Sequence, residues 1–274
     1  MPPTEYMLPS AGDDEGETNR LDAIYNAFRA YFDGRLSAVD LHKDNPHHIL
    51  DLGCGSGAWA IQAANEFPVA QVAAADLSPL PVRPLPENLH FTLADITHPM
   101  PFAPQTFDVV HSRLVMCHVN NAHNVISQAA QLIKPGGLLL IEDVDMNSLA
   151  ETGGPSSLRC VSKMIKLWRE RGADFEVARK LQEIVRSTGC FADVEVERIN
   201  LPFGANTVRG DERQKRLGHE LKKGWQKLVI SAGERLALAY GLDEEMVRAH
   251  VQELDEVGSN ASADLYICTA RRRT

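Results

Sequence analysis

Apolar residues along this chain fall into two patterns, short unbroken runs and stripes that recur every three or four positions. The runs predict strands over His48–Leu52, Val69–Ala75, Leu89–Ala94, Phe107–Val110, Leu138–Ile141 and Asp264–Cys268, and the alternation of Phe191–Ile199 predicts another. The stripes predict helices. Leu21, Ile24, Tyr25, Phe28, Tyr31 and Phe32 keep helical spacing from Asn19 to a stop near Gly34. Ala58–Glu66, Ala122–Ile133, Ser156–Arg171 and Asp174–Ser187 follow suit, the last with an Asp N-cap and Gly189 just beyond its end. Breaks are expected at Asp44-Asn45-Pro46, in the proline-dense 79–86 loop, and at Lys134-Pro135-Gly136-Gly137.

Strands alternating with helices imply an α/β chain with a mostly parallel sheet. Their near-continuous apolar character implies helices on both faces. A helical excursion from Asp211 to Val257 between the last two strands reads as an inserted cap. The aromatic face of the first helix should pack on the main domain, with a share in covering a pocket as an extra role.

Composition narrows the class. The 274 residues suffice for one large domain with an inserted subdomain, needing no disulfide or metal support. A net charge of −9 disfavours a nucleic-acid partner. No apolar run approaches the roughly 18 residues that span a bilayer, so no membrane association is expected. Residues 1–18 are acidic and polar, read as a disordered tail and not a signal peptide. Cys54, Cys117, Cys160, Cys190 and Cys268 form no C-x-x-C pair, which suits free thiols in a reducing, cytoplasmic setting. His111, His118 and His123 lack ligand spacing with a carboxylate, so no metal is assigned. Arg271-Arg272-Arg273 and His47-His48 read as solvated surface.

The stretch Ile49-Leu50-Asp51-Leu52-Gly53-Cys54-Gly55-Ser56-Gly57 concentrates the chemistry. A buried strand runs into a glycine-dense turn and then a helix, which lets backbone approach a ligand at the helix N-terminus. Gly53-x-Gly55-x-x-Ala58 also fits the dinucleotide fingerprint. Asp51, Asp76 and Asp95 close three successive strands. An acid at Asp76 suits ribose hydroxyls under either cofactor. Asp95 followed by Ile96 separates the two, because a carboxylate beside an apolar wall suits an adenine amino group.

In order, ILDLGCGSG, AAADLS, LADI, FDVVHSR and LIKPGG resemble the successive motifs of class I S-adenosylmethionine-dependent methyltransferases, tightly over residues 47–145. GxWA, EFPxAxVxxxDLSP, PxNxxFxxxDI, FDxxHxR and the late LPFG at 201–204 are more narrowly similar to LaeA-like fungal methyltransferases of secondary metabolism. Ala74 and Ala75 stand where such proteins often carry Gly. The resemblance implies a Rossmann-like, seven-stranded fold over 19–274 with a helical cap from 19–34 and from the 200–262 insertion. It implies S-adenosylmethionine as cofactor. Gly53, Cys54 and Gly55 would meet the methionine portion with Asp51 nearby, Asp76 the ribose, Leu77 the adenine face, and Asp95 with Ile96 the adenine edge. Ser112 and Arg113 would lie near the sulfonium.

Amino-group methyltransferases acting on bases or glutamine carry an Asn/Asp-Pro-Pro-aromatic motif after the fourth strand, and His111-Ser112-Arg113 stands there instead. The expected reaction is O-methylation of a small, largely apolar hydroxyl or carboxyl metabolite by a monomer or homodimer. A hydroxyl acceptor benefits from a base, for which His118 and then His111 are the candidates. The bland alternative is that both merely line the pocket, and a carboxylate acceptor needs no base. Glu142, Asp143 and Asp145 could face substrate or belong to a solvated loop. A rival reading is a LaeA-like regulatory protein that keeps the fold without small-molecule turnover. A cofactor-dependent reaction other than methyl transfer, and the dinucleotide reading, also stay open.

Overall fold

The structure, a computed structural model, describes residues 15–204 and 210–274, with backbone alone for 235–240. Seven strands form one open sheet among the described residues: β1 (His48–Leu52), β2 (Gln71–Asp76), β3 (Leu89–Leu93), β4 (Phe107–Arg113), β5 (Ile133–Asp145), β6 (Phe191–Pro202) and β7 (Ser262–Arg272). Their order is β3-β2-β1-β4-β5-β7-β6, with β7 antiparallel to both neighbours and the other pairs parallel. Strand order reverses between β1 and β4, so a crevice opens at their carboxyl ends.

Buried apolar side chains cover both faces, as the unbroken runs require. Leu50, Leu52 and Val110 join one core cluster, whereas Ile49 and Val109 join another built around Trp59, Ala63 and Phe67. Alternation along each strand makes that division. The helices are α1 (Glu15–Tyr31), α2 (Ala58–Glu66), α3 (Ala122–Leu132), α4 (Asn147–Thr152), α5 (Pro155–Glu170), α6 (Val177–Ser187), α7 (Glu212–Tyr240) and α8 (Glu244–Asp255). Helix α1 packs on α7, and α7 on α8.

Several boundaries differ from the sequence reading. Residues 1–14 of the expected tail lie outside the described residues, but Glu15–Thr18 are helical and Glu17 is buried, held by Arg20 and Lys227. The predicted turn at 134–137 is strand. Gly137 lets β5 cross a bulge opposite β4, since a Cβ there would lie 2.8 Å from the Asp108 carbonyl. Gly241 (φ +64°) and the Asp243 N-cap divide the 211–257 excursion into two helices. Helix α6 begins at Val177; Asp174 instead accepts Glu176 N at 2.9 Å. Helix α4 had no periodic signal in its six residues.

Candidate active site

The glycine turn hangs from β2. The Ala75 carbonyl accepts from Gly53 N at 2.8 Å and Cys54 N at 3.1 Å. Gly53 adopts φ +71°, a region L side chains seldom enter, and a Cβ there would lie 2.5 Å from Val115 Cγ2. Gly55 N donates to Asp76 Oδ2 at 2.8 Å, and Ser78 N to Asp76 Oδ1 at 2.9 Å. Burial raises the Asp76 pKa against these bonds. Leu77 is 55% exposed. Asp95 Oδ1 accepts from Thr97 N and its hydroxyl at 2.9 and 2.7 Å, and Oδ2 lies 3.1 Å from His98 Nδ1. Burial pushes the Asp95 carboxyl up, but the Thr97 bonds and His98 reverse it to a net lowering. Ile96 is buried.

Strand register sets Asp51 directly opposite His111. His111 Nδ1 lies 2.7 Å from Asp51 Oδ1 and its Nε2 lies 2.9 Å from Glu142 Oε2. An imidazole that donates through both nitrogens is an imidazolium. Burial opposes the charge, but Glu142 and Asp51 outweigh it and raise the pKa. Arg113 Nε donates to Glu142 at 3.3 Å. Burial likewise works against the Glu142 carboxylate, and Arg113 and His111 overcome it and lower its pKa. Two carboxylates and two cations close as a neutral buried set. Trp59 stacks on His111 with centroids 3.8 Å apart and planes 5° apart. Arg113 also lies 4.4 Å over the Phe28 ring and donates to the Leu36 carbonyl at 2.9 Å.

Asp143 secures the loop after β4. Its Oδ2 accepts Cys117 N at 3.2 Å and its Oδ1 accepts Val144 N at 2.8 Å; burial pushes its carboxyl up to about 6. His118 follows in that loop, its ring centroid 6.3 Å from that of Trp168. Burial first, then Arg20, lowers its pKa to about 4. The ring is neutral at pH 7.

A cavity of about 300 Å³ joins these parts. Some of its wall is the acidic glycine-turn surface; the rest is largely apolar, with Trp168, Phe175 and Trp225 standing among aliphatic residues such as Leu114, Met146, Leu221 and Leu228. Helix α1 also lines it and is tied to the turn, since the Ser56 hydroxyl donates to Asp22 at 2.6 Å and Arg83 pairs with Asp22 at 2.8 Å. The Tyr25 hydroxyl, on a residue of this wall, is the buried side-chain polar atom without a hydrogen-bond partner among the described residues. Burial raises its pKa to about 12.

Residues 24–191 match the family model described as a methyltransferase domain. The chain belongs to this methyltransferase family, whose cofactor is S-adenosylmethionine. The methyltransferase is 39% identical to methyltransferase str3 of Strobilurus tenacellus over 69% of this chain and 68% of the relative. Its identity to str2 of the same fungus is 31%, over 98% of this chain and 96% of str2. It is 26% identical to the secondary metabolism regulator laeA of Coprinopsis cinerea, covering 95% of this chain and 66% of that one. Among solved structures, the [4+2]-cyclase SpnF superposes with a TM-score of 0.52 at 16% identity, over 97% of both chains. Phosphoethanolamine N-methyltransferase 2 of Haemonchus contortus gives 0.50 at 18% identity, over 97% of this chain but 61% of its own length. At such identity the two share the fold.

Of the residues that the sequence of this methyltransferase offers for the cofactor or for proton transfer, all but Ser112 border the cavity. Ser112 is buried and donates to the Leu52 carbonyl at 3.1 Å. Alternation along β4 sends it to the face opposite His111 and Arg113. Glu142, Asp143 and Asp145 are buried in β5, neither in a solvated loop nor in the cavity wall. His111 borders the cavity with both nitrogens engaged, so it has no lone pair for a proton. Sequence reasoning missed Tyr25, Trp59 and Trp225 as wall residues, because each also fits an ordinary helical core stripe. No group of three His, Cys, Asp or Glu is placed to hold a metal among the described residues. No described helix is long and apolar enough to cross a membrane.

Proposed function

We propose that this methyltransferase transfers the methyl group of S-adenosylmethionine to a hydroxyl or carboxyl oxygen of a small, largely apolar metabolite in fungal secondary metabolism. The carrying observation is that one cavity unites an acidic glycine-turn surface with a largely apolar chamber that includes Trp168, Phe175 and Trp225. Likeness to str2, str3 and laeA supports the metabolic setting. An exposed Leu77 and an orphaned Tyr25 hydroxyl, both on the cavity wall, fit a ligand with apolar and polar parts.

Gly53, Cys54 and Gly55, with Asp51 and Arg113 beside them, would hold the methionine portion. Asp76 would take the ribose hydroxyls, and Leu77, Asp95 and Ile96 the adenine. When bound, the cofactor supplies a methyl group already activated on a sulfonium. The protein's own task is then to orient the acceptor and exclude water. Helices α1 and α7 serve as the cap that does so, which assigns 19–34 and 200–262 to that role. His118, neutral at pH 7, would accept the proton of a hydroxyl acceptor on a ring nitrogen. His111 positions Asp51 directly and Arg113 through Glu142, and takes no proton. Five free thiols suit a reducing, cytoplasmic setting for a monomer or homodimer.

Identity to laeA regulators favours a second reading, a regulatory protein on the same fold. Incubating the protein with methyl-labelled S-adenosylmethionine and an extract of its source separates the two. Label in the small-molecule fraction is expected. Label confined to protein, or no transfer, would overturn the small-molecule reading.

A further inference from the structure

Trp225 on α7 shares the cavity wall with Trp168, Phe175 and His118. Ring centroids are 6.3 Å apart from His118 to Trp168, 4.7 Å from Trp168 to Phe175 and 5.9 Å from Phe175 to Trp225. The four rings form a continuous run. The indole N–H of Trp225 donates to His250 Nε2 at 2.8 Å, so that nitrogen carries no proton. His250 is fully buried and burial takes its pKa to about 4, which makes it neutral with its proton on Nδ1. Nδ1 therefore donates to Ser157 Oγ at 3.0 Å, while Ser157 N donates to Glu253 Oε1 at 2.7 Å.

This chain consumes the one polar edge of Trp225 in a buried contact with α8. What the side chain can offer the cavity is its carbon surface. A tryptophan recruited to recognise a polar acceptor would aim its N–H at it. Aromatic rings prefer offset-stacked or edge-to-face contact with other rings, whereas a flexible alkyl chain needs no such alignment. Aromatic walls also attract organic cations; Arg20 on the same wall is ion-paired with Glu17, which also borders the cavity, so the dimethylethanolamine probe below decides that class.

We propose that the methyl acceptor is a planar aromatic metabolite that packs against Trp168, Phe175 and Trp225, with His250 and Ser157 as positioning residues that fix the Trp225 indole. The substrate class rests on the methyl-transfer reading above; the binding preference of the wall stands without it.

The test is calorimetric binding of three probes to the full chain, with and without S-adenosylhomocysteine: 4-hydroxycinnamic acid, nonanoic acid and dimethylethanolamine. The aromatic probe should bind at least about tenfold tighter than the other two. Trp225→Leu should abolish that margin, and Trp225→Phe should keep affinity within about threefold. His250→Phe should weaken the aromatic probe, and His250→Gln, whose amide oxygen can accept the indole N–H, should recover it. S-adenosylhomocysteine affinity should stay the same in all four variants, which also reports that they fold. Equal or tighter binding of nonanoic acid or dimethylethanolamine overturns the proposal, as does an undiminished margin in Trp225→Leu. Failure of S-adenosylhomocysteine to bind the unmodified chain would sink methyl transfer, and the probe margin measured without it would still decide the wall.

Discussion

His111 Nδ1 stands 2.7 Å from Asp51 Oδ1, a contact that follows directly from the pairing of these two residues across β1 and β4. Asp51 enters the glycine turn two residues later, so the imidazolium fixes the charge and direction of the first acid of the site. His111→Ala would leave Asp51 and Glu142 as buried carboxylates short of a counter-charge. Breaking such a set costs about 3–5 kcal/mol. Urea denaturation should show a loss of that order, and a loss limited to a few tenths would contradict a charged pair.

Of the acids proposed to hold the cofactor, Asp76 has the clearest test. Asp76→Ala removes a carboxylate that also accepts Gly55 N. Hydrogen bonds to charged groups are worth about 1.5–3 kcal/mol each, so affinity for S-adenosylmethionine should fall at least tenfold. Asp76→Asn, which keeps one acceptor oxygen, should retain part of it.

His118 divides the two acceptor chemistries. With a hydroxyl acceptor, His118→Ala should lower kcat by roughly 10²–10⁴ with cofactor affinity unchanged. With a carboxylate acceptor, kcat should change little. Parallel turnover assays on a hydroxyl probe and a carboxyl probe distinguish these outcomes.

Burial of His250 makes a contribution to stability that is lost on mild acidification. The folded-state pKa of His250 is lowered from 6.5 to about 4 by burial. The unfolded chain therefore binds the extra proton first, and stability present above pH 6.5 is lost as pH falls through about 4. At about 1.4 kcal/mol per unit the loss is roughly 3 kcal/mol at most. Asp143 and Asp145, both raised to about 6 by burial, work in the opposite sense between pH 3.8 and 6. Thermal melts of the protein and of His250→Gln from pH 7 to 5 should show a shallower decline in the variant.

The sheet and the glycine turn were legible because their signals are local. Unbroken apolar runs demand two covered faces, and three glycines in five residues demand a turn. Asp51, Asp76 and Asp95 were legible as strand ends for the same reason. The role of His111 was not, since only strand pairing brings it between Asp51 and Glu142, 60 residues before and 31 after it. Ser112 was misplaced because the face a residue takes depends on the register of β4, which its tripeptide does not reveal. The aromatic part of the chamber was hidden for another reason. Trp168, Phe175 and Trp225 come from three separate segments, and each alone looks like core.

The central claim is that the glycine turn and Asp76 form an S-adenosylmethionine site. Isothermal titration of the cofactor into the protein and into Asp76→Ala tests it most directly. The account predicts binding to one site per chain that weakens at least tenfold in the variant, in line with the loss of one charge-assisted hydrogen bond. No heat of binding to the unmodified protein, or undiminished affinity in Asp76→Ala, would contradict it.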